Sequence, residues 1–172
     1  MKDNKVRKLV LAALMAALVC VATMVIEIPS PANGYVNLGD CFVLLSGWIL
    51  GPRYGAAAAG IGSMLADIFA GYVYYAPGTL IIKSLMGLLA SILYRILHKK
   101  APKAAMLVSG VAAEAVMVAG YFLYAAWFLG YGVAGEAGAA ASIPGNLVQG
   151  LVALIAGLAL MAVLQRTKLR KS

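Results

Sequence analysis

The chain has 172 residues, 63% of them hydrophobic and 12% charged, with a mean hydropathy of +0.92 and a formal net charge of +8. A soluble domain carries about 25% charged residues, so the composition excludes an ordinary soluble enzyme and predicts an all-α, polytopic membrane protein folded as a single domain over 1–172. The two cysteines are too few for a disulfide framework. Cys20 falls in the middle of the first apolar run and Cys41 at the outer end of the second, a depth difference of roughly 10 Å at the helical rise, which predicts two buried thiols and no bridge.

The placement of the positive charge points to a bilayer and away from nucleic acid. Lys and Arg cluster at 2–8, at Arg53, at 95–103 and at 166–171. With six crossings, all of these fall on one side, and only Lys83 stands inside an apolar run. This is the positive-inside pattern and it places both termini in the cytoplasm. The first apolar run is too long for a signal-peptide core and lacks a cleavage site, so it is predicted to stay as a spanning helix.

The first helix is predicted over about 7–27, stopped by Pro29 and Pro31. Ala12, Ala13, Ala16 and Ala17 form a doubled small-xxx-small pattern that admits a close neighbouring helix. That neighbour is either another helix of the same bundle or a second membrane protein docking there. An outer loop, SPANGYVNLG, consists of turn formers. A short helix over about 38–50 tilts or borrows loop residues to complete its crossing, and Gly51-Pro52 with Arg53 turns the chain inside. The third helix, about 54–72, carries Ala56/Gly60 and Ala58/Gly62 and is predicted to be central. GYVYYAPG follows outside. The fourth helix, about 79–97, returns to HKKAPK. The fifth spans about 104–127, and the loop GYGVAGEAG after it is glycine-rich and suited to a lid. The sixth, about 141–164, contains IPGNLVQG, where Pro144 and Gly145 are expected to loosen it near its outer end.

Ionisable and amide groups inside these segments mark functional sites. Asp67 and Lys83 lie at matching depth, roughly 7–9 Å below the outer surface, and are predicted to form an ion pair. Asn146 and Gln149, on one face of the sixth helix, fall at similar depth, so four polar side chains from three helices converge on a pocket in the outer half. Tyr35, Tyr72, Tyr74, Tyr75, Tyr121, Tyr124 and Tyr131 map to the outer side and only Tyr54 and Tyr94 to the inner. An interfacial belt would decorate both faces, so this excess suggests a stacking surface for a flat, partly polar ligand. Glu114 is either a proton relay or a protonated carboxyl hydrogen-bonded across helices, the latter preferred. Asp40 suits the N-terminus of its helix. Glu27 and Glu136 are expected as solvated loop charges and His98 as part of the cytoplasmic basic edge. No phosphate-binding loop, HExxH, Cys/His metal cluster or nucleophile triad is present, so the chain is predicted to bind or translocate, with no catalytic residues and no metal ligands.

The order and spacing of the Ala-xxx-Ala face, GYVNLGD, LGPRYG, LADIFAGY, APGTLIIKSLMGLLA and PGNLVQG resemble the substrate-capture (S) components of energy-coupling factor (ECF) vitamin transporters, in the riboflavin/hydroxymethylpyrimidine-type branch. The resemblance covers nearly the whole chain. It implies a six-helix bundle in a prokaryotic cell membrane that binds its vitamin near the outer face, under a lid made by the loop after the first helix. Ala12, Ala13, Ala16 and Ala17 would dock on a transmembrane coupling subunit. The chain itself would need no cofactor, because two separate cytoplasmic ATPase subunits would consume ATP. Asn146 matches the asparagine of the family's P-x-N motif; Gln149 stands where some members have lysine, which points away from riboflavin and toward a hydroxymethylpyrimidine or pyridoxine-like ring. Within that picture the predicted substrate contacts are Asn146, Gln149, Asp67, Lys83, Tyr72, Tyr74, Tyr75, Tyr35, Asn37 and Tyr121. The alternative reading of the same chain is a self-contained proton-coupled carrier of small solutes.

Overall fold

The computed structural model describes residues 2–25, 27–30, 34–134 and 138–169. Among these it contains six α-helices: α1 (Lys2–Val25), α2 (Asp40–Leu50), α3 (Pro52–Phe69), α4 (Ala76–Leu97), α5 (Pro102–Leu123) and α6 (Ile143–Leu169). A hairpin of β1 (Ile28–Ser30) and β2 (Gly34–Val36) joins α1 to α2. A π-helical turn, Tyr124–Phe128, extends α5, and a 3-10 turn, Ala139–Ser142, leads into α6.

The helix ends follow local chemistry. Pro52, Pro77 and Pro102 sit in the first turns of α3, α4 and α5, where the missing N–H is no loss. Pro144 plays the same part in α6: the helix begins at Ile143 and runs on to Leu169, so Pro144-Gly145 opens it and does not interrupt it as expected from the sequence. Basic residues that are good helix formers carry α1 back to Lys2 and α6 on past Arg166, beyond the predicted limits. Glu27, predicted as the end of the first helix, lies outside it and is exposed.

α1, α4, α5 and α6 contain segments long and apolar enough to cross a membrane. α2 does not: at about 1.5 Å per residue its length is near 16 Å, about half the hydrocarbon thickness. It is buried along most of its length, from Asp40 to Trp48, among α1, α3, α4 and α6. The helices close on it through glycine. A Cβ at Gly47 would stand 2.6 Å from the Gly87 carbonyl, and one at Gly55 would stand 2.6 Å from the Ser46 carbonyl. α2, α3 and α4 therefore meet backbone to backbone. Ser46 Oγ donates to the carbonyls of Val43 and Gly55 at 2.7 and 3.0 Å, and Trp48 Nε1 donates to Ser109 Oγ of α5 at 3.0 Å. Around these contacts Val43, Leu44, Leu45, Met86, Ala113 and Met117 form the core.

α3 also packs on α1, with Gly62 admitting the Ala16 backbone. The alanine pattern of α1 therefore divides. Ala12 is buried against the bundle and Ala16 is half-buried, whereas Ala13 and Ala17 are exposed. Both cysteines are free and buried.

Candidate functional site

The start of α2 organises the site. Between the hairpin and α2 the chain descends into the bundle without helical hydrogen bonds. Irregular backbone at membrane depth needs partners from the protein itself, and here it has them. Asn37 N donates to Gln149 Oε1 at 2.8 Å, Gly39 N donates to Asn37 Oδ1 at 2.9 Å, and the Gly39 carbonyl accepts from Phe42 N and Val43 N. Gly39 is required by crowding, because a Cβ there would collide with Thr23 of α1. Asp40, the first residue of α2, is thereby placed inside the protein with no exposed surface.

Lys83 of α4 pairs with Asp40 through Oδ1, and Gln149 Nε2 of α6 donates to its Oδ2 at 2.6 Å. The ammonium also lies 5.2 Å from the centre of the Tyr121 ring. This corrects the expected Asp67–Lys83 ion pair. The depth argument put Asp40 at the membrane surface because it took the second helix to begin there; the helix in fact begins deep in the bundle, where its carboxylate meets the lysine. Asp40 thus holds two residues of the site, Lys83 and Gln149, a role that the helix-terminus reading does not give it. Gln149 is also reassigned. Its carbonyl and amide groups are both spent inside the protein, tying the descending segment to the ion pair.

Asp67 takes a different partner. Tyr35 of β2 donates its hydroxyl to Asp67 Oδ1 at 2.6 Å. Burial, and then the neighbouring Asp67 carboxylate, push the Tyr35 phenol well above its ordinary range, so it stays protonated and serves as donor. Asp67 Oδ2 is buried and has no hydrogen-bond partner, and Ser63 Oγ, on the same helix, is in the same condition.

These groups surround one cavity in the bundle. Thr23, Tyr35, Asn37, Ser63, Asp67, Tyr75, Thr79, Lys83, Tyr121, Ser142, Asn146 and Gln149 line it, and it leaves about 40 Å3 of free space for the centre of a water molecule. Of the predicted contacts, Asn146, Gln149, Asp67, Lys83, Tyr75, Tyr35, Asn37 and Tyr121 are thereby brought together. Tyr72 and Tyr74 are not in the wall. Tyr72 packs on Tyr35 with ring centres 4.8 Å apart, and Tyr74 packs on Tyr75 at 5.2 Å, so both support the aromatic rim from outside. Tyr124 donates to the Tyr74 carbonyl at 2.9 Å and fixes that turn. Ser63, Thr79 and Ser142 were not singled out in the sequence, where single hydroxyls carry no periodic signal.

Glu114 lies apart from the cavity, in an apolar groove between α5 and α6, with Gly150 leaving room for its carboxyl group. Neither of its oxygens has a hydrogen-bond partner, which corrects the expected hydrogen bond across helices. His98 is exposed and packs on Tyr94 at 4.7 Å. Glu136 lies outside the described residues.

An apolar helical shell around a polar, tyrosine-lined cavity is the build of a membrane protein with an internal small-molecule site. The family model of the ECF-type riboflavin transporter S component matches residues 3–166 of the chain. An uncharacterised protein of Pyrococcus woesei is 34% identical over 149 residues, covering 86% of this chain and 95% of that relative. The thiamine precursor transporter HmpT of Lactococcus lactis is 30% identical over 169 residues, covering 96% of this chain and 92% of HmpT. The solved S component of a bacterial ECF transporter has the same fold, with a TM-score of 0.75 and 20% identity across 95% of this chain and 98% of that one. The chain belongs to the family of ECF transporter S components, a transporter family and not an enzyme family.

Proposed function

We propose that the protein captures a small heteroaromatic B-vitamin or vitamin precursor at the outer face and delivers it through a coupling module. A hydroxymethylpyrimidine or pyridoxine-like ring comes first and riboflavin second. The observation that carries this reading is the cavity itself. Its tyrosines offer faces on which a flat ring stacks, while Asn146 and the hydroxyl and carboxyl groups around it offer polar contacts to ring substituents. The thiamine precursor named for HmpT agrees with a single ring, whereas the family description names riboflavin.

Entry of even one ring into so small a space requires movement, and the segment 35–39 is the part poised to move. It covers the cavity through Tyr35 and Asn37, held by two side-chain hydrogen bonds, Tyr35 to Asp67 and Asn37 to Gln149. Opening the lid breaks those two contacts and leaves the helices in place.

For delivery, the exposed row Ala13 and Ala17, beside the groove between α1 and α3, is the surface on which a transmembrane coupling subunit docks, with two cytoplasmic ATPase subunits driving the cycle. The basic clusters at 2–8, Arg53, 95–103 and 166–171 orient the bundle with both termini in the cytoplasm. Denaturing the detergent-purified protein and identifying what is released by mass spectrometry tests the capture role. A stoichiometric pyrimidine, pyridine or flavin compound is expected. A protein that releases none of these, and binds none in calorimetry, contradicts the reading.

A further inference from the structure

The groove between α5 and α6 lies outside the polar cavity and has no part in the capture of a ring. It leaves about 480 Å3 of free space for the centre of a water molecule, against about 40 Å3 in the cavity. Val111, Val118 and Phe122 of α5 and Ile143, Leu147 and Leu151 of α6 give it apolar walls, and Glu114 and Asn146 are the polar side chains of its described lining. Glu114 is more than nine-tenths buried, at 7% exposed, and both of its oxygens are without a hydrogen-bond partner. Gly150 faces the carboxyl group, where a Cβ would stand 3.1 Å from Oε2. Buried polar atoms are almost always matched, and a large apolar pocket with a few convergent polar groups is the usual build of a small-molecule site. The unmatched carboxyl group therefore points to an atom supplied by an occupant of the groove.

Depth decides the chemistry of that occupant. Glu114 is 12 residues from Pro102 and 14 from Phe128, the two ends of α5 with its π-helical turn, so it stands roughly 20 Å from either end. A charged lipid headgroup stays at the bilayer surface, because a charge at mid-depth is costly. The occupant must bring a polar atom to the middle of the bilayer without carrying a charge there. An ionised carboxylate only accepts hydrogen bonds and a protonated one also donates, whereas a hydroxyl does both. A hydroxyl thus satisfies Glu114 in either form, a carbonyl or ether oxygen only in the protonated form, and a hydrocarbon chain in neither. We propose that this groove binds a neutral lipophilic alcohol, with its apolar body along α5 and α6 and its hydroxyl on Glu114. The site is separate from the ring-binding cavity and stands or falls without it.

The test is photolabelling of the full chain in phosphatidylcholine vesicles by dodecanol that carries a diazirine in its chain, with the labelled residues located by mass spectrometry. Label is expected on the groove walls around Glu114. Unlabelled dodecanol is expected to compete at a mole fraction in the bilayer at least about fivefold lower than dodecane needs, the worth of roughly one hydrogen bond. That preference falls to within about twofold in Glu114→Leu and shrinks in Gly150→Ala, which crowds the carboxyl group, with unfolding midpoints showing that each variant is folded. Should Glu114→Leu fail to fold, the wild-type ratio and Gly150→Ala decide. Equal competition by dodecane means that the groove holds any bilayer chain, and overturns the proposal. Label confined to other parts of the protein, or a preference unchanged in the folded variants, overturns it as well. Stronger competition by dodecylamine than by dodecanol overturns the assignment of a neutral head.

Discussion

Asp40 and Asp67 are both buried carboxylates near Lys83, yet the protein treats them in opposite ways. Asp40 is closed on both oxygens, by the Lys83 ammonium and the Gln149 amide. Asp67 has one oxygen on Tyr35 and the other without a partner. The first arrangement spans α2, α4 and α6 and fixes how those helices meet. The second sits on α3 and reaches the hairpin through Tyr35. A buried ion pair adds little stability over an apolar core, but losing one member leaves an uncompensated charge. The comparison therefore separates a side of the cavity that holds the bundle together from a side that is left to meet a ligand.

The largest effect that breaks the comparison comes from its closed side. Lys83→Met strands the Asp40 carboxylate and is expected to destabilise the protein by about 3–5 kcal/mol, read as a fall in the unfolding midpoint in detergent. Gln149→Ala leaves both Asn37 N–H and Asp40 Oδ2 short of a partner and is expected to cost about 1–3 kcal/mol. Because Gln149 also anchors the segment covering the cavity, the same variant should release bound ligand faster, which stopped-flow measurements would show. Two variants outside the cavity sharpen the division of α1. Ala13→Leu, on the exposed row, is expected to leave stability within about 0.5 kcal/mol and ligand affinity within about twofold, yet to abolish uptake in cells supplying the coupling module. Ala12→Leu, on the buried row, overpacks the contact with the bundle at about 1–3 kcal/mol.

Much of this arrangement is legible in the amino-acid sequence, and the misreadings share one cause. Long apolar runs, Gly51-Pro52 and the basic clusters give the helices, because hydropathy and chain-breaking residues act locally. Depth along a helix is nearly as simple, so Asp67, Lys83, Asn146 and Gln149 were expected at one level and do line one cavity. That argument required every helix to start at a membrane surface. α2 starts inside, after a descending segment held by Asn37 and Gln149, and so Asp40 rather than Asp67 receives the lysine. The hairpin is not legible in the sequence because three-residue strands are too short for an alternating pattern and one of them contains Pro29. Pro144 was read as a break because its distance from the helix start depends on the 3-10 turn before it. The unmatched pair of Ser63 and Asp67 depends on what every neighbouring side chain does, which no local pattern reports.

The most direct test of the account measures unfolding and ligand affinity together, on matched preparations of Asp67→Ala and Gln149→Ala. Asp67→Ala deprives only the half-buried Tyr35 hydroxyl of its acceptor, so its unfolding midpoint should fall less than that of Gln149→Ala, while affinity for the ring ligand falls at least about tenfold, about 1.4 kcal/mol. Gln149→Ala should show the clear drop in midpoint. The reverse pattern, with Asp67→Ala unstable but binding normally and Gln149→Ala as stable as wild type, would contradict the division of the cavity into a holding side and a reading side.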